Sequence, residues 1–458
     1  MKVSSNGAEG GKPPGPETNG PRDRKRSPLG ILFLAVFLDL VGFGILIPIQ
    51  PFYAELFGAR PAAITLLSAS FSLVQFLFAP FLGRMSDSVG RRPIMLFTIA
   101  INAVGYALFG LAGSLPMLFL ARITSGFGSA NIGTAQAIVA DSTTPETRAK
   151  GMGIIGAAFG LGFILGPAIG GLFSQYGLSL PAFVAAGLST INWFYAFFRL
   201  PETHPAMNAG EPGGGESIGS VPASRHGRTP RRHHLGLSGR DLKNAVKHPN
   251  VPQLFWLYLV GTVAFSLMEQ TLGLYIERIW LPSAGGGPST AHLRHASAMT
   301  AYFLVVVGVT GAIVQGMLIG RLARRFGEHR LVVAGTVLVG CTLVLIPIVA
   351  DIRIYGLLLA LGPILAFGSG ILNPSIPSLL SQATDSDAFG GILGLGQSLS
   401  ALGRVVGPTF AGLLFEFSHE VPFYLGAALM FTCSLVSLTI RVVSDRKTVA
   451  GAIGDPAD

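Results

Sequence analysis

Charge is scarce in this chain: Asp, Glu, Lys and Arg make up 12% of its 458 residues, about half of the roughly 25% usual in soluble domains. That shortage excludes an ordinary water-soluble protein. Cysteine is scarcer, with only Cys341 and Cys433; both fall in apolar stretches, which excludes a disulfide-stapled scaffold and leaves two free thiols. No GxxxxGKS/T loop occurs, so nucleotide hydrolysis has no phosphate cradle. No nucleophile, base and orienting group recur at a recognisable spacing, so neither an enzyme nor a cofactor is expected.

What the chain does have is apolar length. Half of it is hydrophobic, 61 residues are Gly, and the mean hydropathy is +0.57. A bilayer-spanning helix needs about 20 mostly apolar residues, and small residues let such helices approach closely. Segments of that kind lie at 29–52, 62–83, 93–113, 115–140, 150–173, 180–199, 252–277, 297–320, 330–350, 354–380, 388–415 and 421–441. The expected fold is therefore an all-α membrane protein with twelve transmembrane helices in two pseudo-symmetric six-helix bundles.

Loop charge orients the spans, because Lys and Arg collect on the cytoplasmic side. Placing both termini there puts 26 of the 32 Lys and Arg inside, and leaves Arg60, Arg278, Arg294 and Arg353 outside. The net charge of +9 is thus topological, and no nucleic-acid partner is expected. The domains read as a disordered cytoplasmic tail at 1–28, a first bundle at 29–200, a Gly-, Ser-, Pro-, Arg- and His-rich cytoplasmic linker at 201–248, a second bundle at 249–442 and a cytoplasmic tail at 443–458. The pairs His233/His234 and His292/His295 have too few companions for a metal site and read as solvated loop histidines.

The halves repeat each other. Residues 83–92 (GRMSDSVGRR) have a looser copy at 320–330 (GRLARRFGEHR). Gly126, Gly128 and Asn131 in span 4 match Gly368, Gly370 and Asn373 in span 10, and Gly162, Gly166 and Pro167 in span 5 match Gly403, Gly407 and Pro408 in span 11. The order is the same in both halves, which a chance GxGxxN match would not give.

With these motifs on the page, the chain resembles the major facilitator superfamily, specifically its twelve-span drug:proton antiporters, which include the tetracycline exporters. The resemblance rests on Asp39 and the residues 39–51 around it, on residues 83–92, on Arg122 through Gly126, on Asp141 with Arg148, and on the Gly162–Gly171 pattern, and it covers residues 29–441. It implies two bundles around a cavity open alternately to either side, and a proton-coupled transporter exporting small lipophilic or drug-like molecules. It also implies an inner gate at Gly83, Asp87, Gly90, Arg91, Arg92, Asp141 and Arg148, with Asp87 capping a helix of the other half and Arg91 or Arg92 reaching Asp141. The antiporter residues Gly162, Gly166, Pro167 and Gly170 would form a flat surface against the opposite half. A monomer in a bacterial inner membrane is expected, with a small molecule, protons and lipid as its partners.

Four ionisable groups fall within spans: Asp39, Arg122, Glu269 and Arg404. Each costs about 2.5 to 3.5 kcal/mol at a helix centre, so each should face a cavity or an opposite charge. Spans 7 and 11 are neighbours by pseudo-symmetry, which suggests that Arg404 pairs with Glu269. Helical spacing puts Arg122, Ser125, Ser129, Gly133 and Gln136 on one face of span 4, and Gln397, Ser400 and Arg404 on one face of span 11. Gln136, Asn131, Asn373 and Gln397 are candidates to line the substrate path, with helix-to-helix adhesion as the competing role. Two departures from the tetracycline pattern matter: span 9 lacks a carboxylate, and Glu269 and Arg404 are additional. Export or import of a metabolite such as a sugar, siderophore or polyamine, and a non-transporting receptor or scaffold, remain open.

Overall fold

The computed structural model describes residues 28–143, 145–204, 250–281, 288–383 and 386–440, except for the side chains of residues 28, 145–150, 152–154 and 386–391. The expected tails, most of the linker and the His233/His234 pair lie outside the described residues. Among those residues there are helices and no strand.

The first half contains α1 (Pro28–Leu46), the short α2 (Gln50–Glu55), α3 (Pro61–Val89), α4 (Arg91–Gly110), α5 (Leu115–Gly128), α6 (Ile132–Asp141), α7 (Pro145–Ser174) and α8 (Leu180–Arg199). The second contains α9 (Val251–Trp280), α10 (Thr290–Ile313), α11 (Ile319–Phe326), α12 (Glu328–Asp351), α13 (Tyr355–Gln382), α14 (Ser386–Phe417) and α15 (Val421–Leu438). Proline opens the first turn of α3, α5, α8, α9 and α15, where its missing N–H costs nothing. Among the described residues eleven helices are long and apolar enough to cross a membrane. The twelfth crossing, span 4, is divided: a 3-10 turn at Ser129–Asn131, non-helical at Ala130, joins α5 to α6. Span 8 runs from α10 through a π turn at Val314–Leu318 into α11.

The two basic repeats are not the loops they resemble. Helix α3 continues through Gly83 to Val89, and the chain reverses at Gly90 alone, whose φ is +111°. The second copy behaves alike: α11 ends at Phe326 and Gly327 turns at φ +78°. Only glycine takes such angles without strain, so the seven-residue glycine spacing marks the last turns of a helix followed by its stop.

Repeated glycines pack repeated partners. Spans 5 and 11 lie on spans 1 and 7: Gly162 and Gly166 face Leu40, Val41 and Gly44, while Gly403 and Gly407 face Leu259, Thr262, Val263 and Ser266. The halves meet along α3–α14 and α7–α10, and α2 of the first half rests on α9 and α10 of the second. Gly412 abuts Pro61, Ala62 and Thr65, and Gly171 abuts Ala301. Among the described residues two hydrogen bonds cross this seam: Gly412 N donates to Thr65 Oγ1 at 3.1 Å and Ala62 N to Glu416 Oε1 at 3.2 Å. These contacts lie at the end of the molecule opposite the one carrying Arg84, Arg91, Arg92, Arg321, Arg324 and Arg325, termed here the basic end. The halves are closed against each other at that opposite end.

Candidate functional site

Two thirds of the way along α1, Asp39 sits 8% exposed within the first bundle. Asn102 of α4 donates to its Oδ1 at 2.7 Å and Asn131, in the 3-10 turn of span 4, to its Oδ2 at 3.3 Å. Ser129 Oγ donates to Asn102 Oδ1 at 3.2 Å, and Asn131 Nδ2 also reaches Thr98 Oγ1 at 3.3 Å. The broken helix explains why this is possible. Where α5 stops, Asn131 reaches the carboxylate, Ser129 reaches the Asn102 that holds its other oxygen, and Gly128 lets α5 lie directly on Asn102. Buried carboxylates require such donors, each worth about 1.5 to 3 kcal/mol.

Arg122 lies in the same bundle without an acid. It is 4% exposed, its Nε and Nη1 have no hydrogen-bond partner among the described residues, and its guanidinium carbon stands 4.4 Å over the Phe71 ring and 6.0 Å from that of Phe43. Cation–π contact returns about 2 kcal/mol when desolvated, which does not replace a counter-charge. Tyr106 is wholly buried, packs on Gly42, and lies within electrostatic reach of both Asp39 and Arg122.

At the seam between the halves is a cavity of about 90 Å³, lined by Ile47, Phe163 and Pro167 of the first half and Phe265, Glu269 and Phe303 of the second, among others. Glu269 is the one acid in that apolar lining. Arg404 does not pair with it as expected: the arginine is exposed, its Nη1 donates to Ser400 Oγ at 3.3 Å, and it acts on Glu269 only at longer range. One turn from Ser400, the guanidinium takes that hydroxyl in place of the carboxylate. Gln136, Asn373 and Gln397 are exposed on spans 4, 10 and 11, whereas Asn131 is buried against Asp39.

The expected gate residues divide. Arg91 Nε donates to Asp141 Oδ2 at 3.0 Å, and its Nη1 to Asp87 Oδ1 at 2.5 Å and Ser86 Oγ at 2.7 Å. Asp87 therefore binds within its own half here, and among the described residues it caps no helix of the other. Arg92 turns away from Asp141: its Nη2 donates to the Phe197 carbonyl at 2.6 Å and its guanidinium lies over the Phe197 ring. Gly83 borders open space, so it serves no close contact. The Arg148 side chain lies outside the described ones. Glu202, beyond α8, accepts from the backbone N–H groups of Arg91, Arg92, Thr203 and His204 at 2.9 to 3.1 Å. Burial alone would raise its carboxyl; these four bonds outweigh it and hold it below the ordinary value of 4.5.

The span-5 glycines also face differently from expectation. Gly162, Gly166 and Gly170 pack against α1 and Pro48, within the first half; only Pro167 reaches the seam cavity. Contact with the opposite half comes from Gly171 and Ile164. Interior packing wins because close backbone approach needs a glycine on one helix and small residues on the other, and α1 supplies Gly44.

Three participants escaped the sequence reading. Asn102 and, one turn on, Tyr106 lie in an apolar span with no sequence signal that ties them to Asp39. His292 lies in α10, which begins seven residues before the expected span, and its Nε2 is 2.8 Å from Glu277 Oε1. It is not a solvated loop histidine. A carboxylate at the last position of an expected span was the available signal.

The profile of the Major Facilitator Superfamily matches residues 32–291 and 279–456. Among curated proteins, the chain is 28% identical over 388 residues to the class E tetracycline resistance protein of Escherichia coli, covering 84% of this chain and 87% of that one. It is 26% identical over 427 residues to multidrug resistance protein 2 of Bacillus subtilis, covering 92% and 96%. Among solved structures, the human organic anion transporter MFSD10 superposes with a TM-score of 0.64 at 23% identity, over 91% of this chain and 100% of that one, a likeness of fold. Helix order, the repeated packing of spans 5 and 11, and the profile match over both halves agree: this chain is a multi-pass membrane protein that belongs to the Major Facilitator Superfamily.

Proposed function

We propose that the chain is a proton-coupled antiporter that exports small lipophilic or drug-like molecules by alternating access. It would work as a monomer in a bacterial inner membrane with both termini cytoplasmic. The observation that carries this reading is Glu269, a single carboxylate in an apolar cavity lined by both halves. A group there is desolvated when the halves close and hydrated when they part, so its proton affinity follows conformation. Apolar cargo and a proton then compete for one seam. Drug-sized ligands fill about 300 to 1,000 Å³, so the present cavity of about 90 Å³ admits a fragment of the cargo, and loading requires the halves to separate further. The relatives named for tetracycline and multidrug resistance support export as the direction.

Asp39 supplies a second coupling acid. Its carboxylate is held by Asn102 and Asn131, Arg122 Nε and Nη1 have no partner among the described residues, and a shift of span 4 at its 3-10 turn would bring the cation toward the acid and expel the proton. The exposed Arg404 favours a second reading in which the cargo carries an anionic group. Proteoliposomes with an imposed pH gradient test both. Export reading predicts uptake of lipophilic probes coupled to proton counterflow and lost in Glu269→Gln; the anion reading predicts loss with Arg404→Gln and retention of neutral probes. Flux indifferent to the gradient and to Glu269→Gln plus Asp39→Asn overturns the proposal.

A further inference from the structure

Away from both membrane acids, at the closed end opposite the basic one, a titratable cluster spans the two halves. Glu55 ends α2 of the first half, which rests on α9 and α10 of the second. Glu277 of α9 is 3% exposed. Its Oε1 meets His292 Nε2 of α10 at 2.8 Å, and its Oε2 lies 3.5 Å from Arg278 Nε, too far for a good hydrogen bond. Glu55 Oε2 and Glu277 Oε2 are both buried atoms without a hydrogen-bond partner among the described residues. Two carboxylates of opposite halves thus lie within electrostatic reach of each other, each with a buried oxygen.

We propose that Glu55, Glu277 and His292 form a further proton-binding site that holds one proton, on Glu55, while the halves are closed at this end. The proton comes from solution on that face and adds to a Glu55 oxygen; it returns the same way when the halves part. Among the described residues, nothing else in the surroundings supplies a compensating charge. From α9 come Glu277, which repels a Glu55 anion, and Arg278, which favours it; from α10 comes His292, which favours it less. Arg60, at the start of α3, is exposed, Arg294 and His295 line a separate pocket with Gln175 and Tyr302, and His419 interacts with Arg278, Glu277 and Glu420, none of them but Arg278 and Glu277 acting on Glu55. Burial first, and Glu277 second, push the Glu55 carboxyl up from 4.5 to about 7. The sign follows: below about pH 4.5 both conformations carry the proton, and above about pH 7 closure must bury a charge. Lowering the pH on this face through that window therefore favours closure, by roughly tenfold or more in the population ratio.

This inference goes beyond proton-coupled export, and its test reads conformation, so that the two fail separately. Spin labels at Leu111→Cys and Ile352→Cys, exposed ends of α4 and α12, in the full chain with Cys341→Ser and Cys433→Ser, report the separation of the halves in nanodiscs. The unsubstituted cluster is expected to shift toward the short, closed distance by tenfold or more as pH falls from about 8 to 5. Glu55→Gln should hold the closed population at every pH, and Glu277→Gln, by removing the repelling charge, should move the transition to lower pH. A Glu55→Gln chain that titrates like the original overturns the proposal. Should that variant fail to insert, an unmoved transition in Glu277→Gln does the same.

Discussion

An aspartate that accepts from two asparagines, and an arginine that meets only aromatic rings, are opposite solutions to one problem. Asp39 is satisfied by dipoles, so an isosteric amide fits its shell with a change in stability of about 1 to 2 kcal/mol, since one donor will then face an amide group instead of a carboxylate. Asp39→Asn should therefore insert and fold, while proton-driven flux falls tenfold or more; thermal stability and gradient-driven transport, measured on the same preparation, check the split. Arg122 is not satisfied. Replacing a whole buried ion pair by apolar residues of similar volume is often neutral or stabilising, by about 1 to 4 kcal/mol, and a charge without a partner offers less to lose, so Arg122→Met should raise or preserve the unfolding temperature and abolish transport. A lowered unfolding temperature would mean that the cation is a structural pillar. The sequence revealed all four intramembrane charges, because ionisable residues stand out in apolar runs, but not their pairing. Arg404 and Glu269 lie on neighbouring helices as expected and still do not touch, since side-chain reach and hydration are decided by geometry that spacing does not contain.

Elements were legible where apolar length defines them and obscure where one residue ends them. The twelve spans follow from hydropathy, yet residues 83–92 read as a loop because Arg84, Asp87 and Arg91 are charged; in the fold they extend α3 into the basic end, and Gly90 alone turns the chain. The break in span 4 had no sequence signal beyond its glycines. Glu202 illustrates an element held from afar: it lies after α8 and caps the first two N–H groups of α4. Glu202→Ala should cost about 1 kcal/mol, the usual value of a helix cap. Because the native carboxyl titrates below 4.5, this contribution is complete above that pH and is lost as pH falls through the depressed value. Unfolding temperatures of the original chain and of Glu202→Ala should accordingly differ at pH 7 and converge in acid; a constant difference would assign the cap to packing.

At the scale of the whole molecule, glycines do two kinds of work that the sequence cannot tell apart. Gly166 faces Gly44, with a would-be Cβ 2.5 Å from its Cα, inside one half; Gly412 faces Pro61, Ala62 and Thr65 across the seam. Both read as small residues in an apolar helix. Only the partner's identity, known once the halves are placed, separates a residue that holds a bundle together from one that lets two bundles close. Side chains added at each should behave differently for that reason. Gly166→Val overpacks a contact present in every conformation and should lower the unfolding temperature by an amount equivalent to about 1 to 3 kcal/mol, with little change in the distance between Leu111 and Ile352 labels. Gly412→Val clashes only when the halves are closed at the end opposite the basic one. It should leave each bundle intact, displace the label distance to the separated population, and stop turnover at that step, because an alternating carrier that cannot close one side cannot release its cargo and reset. If Gly412→Val instead unfolds the chain while the labels stay at the short distance, the seam is a permanent packing surface and the two halves do not part along it.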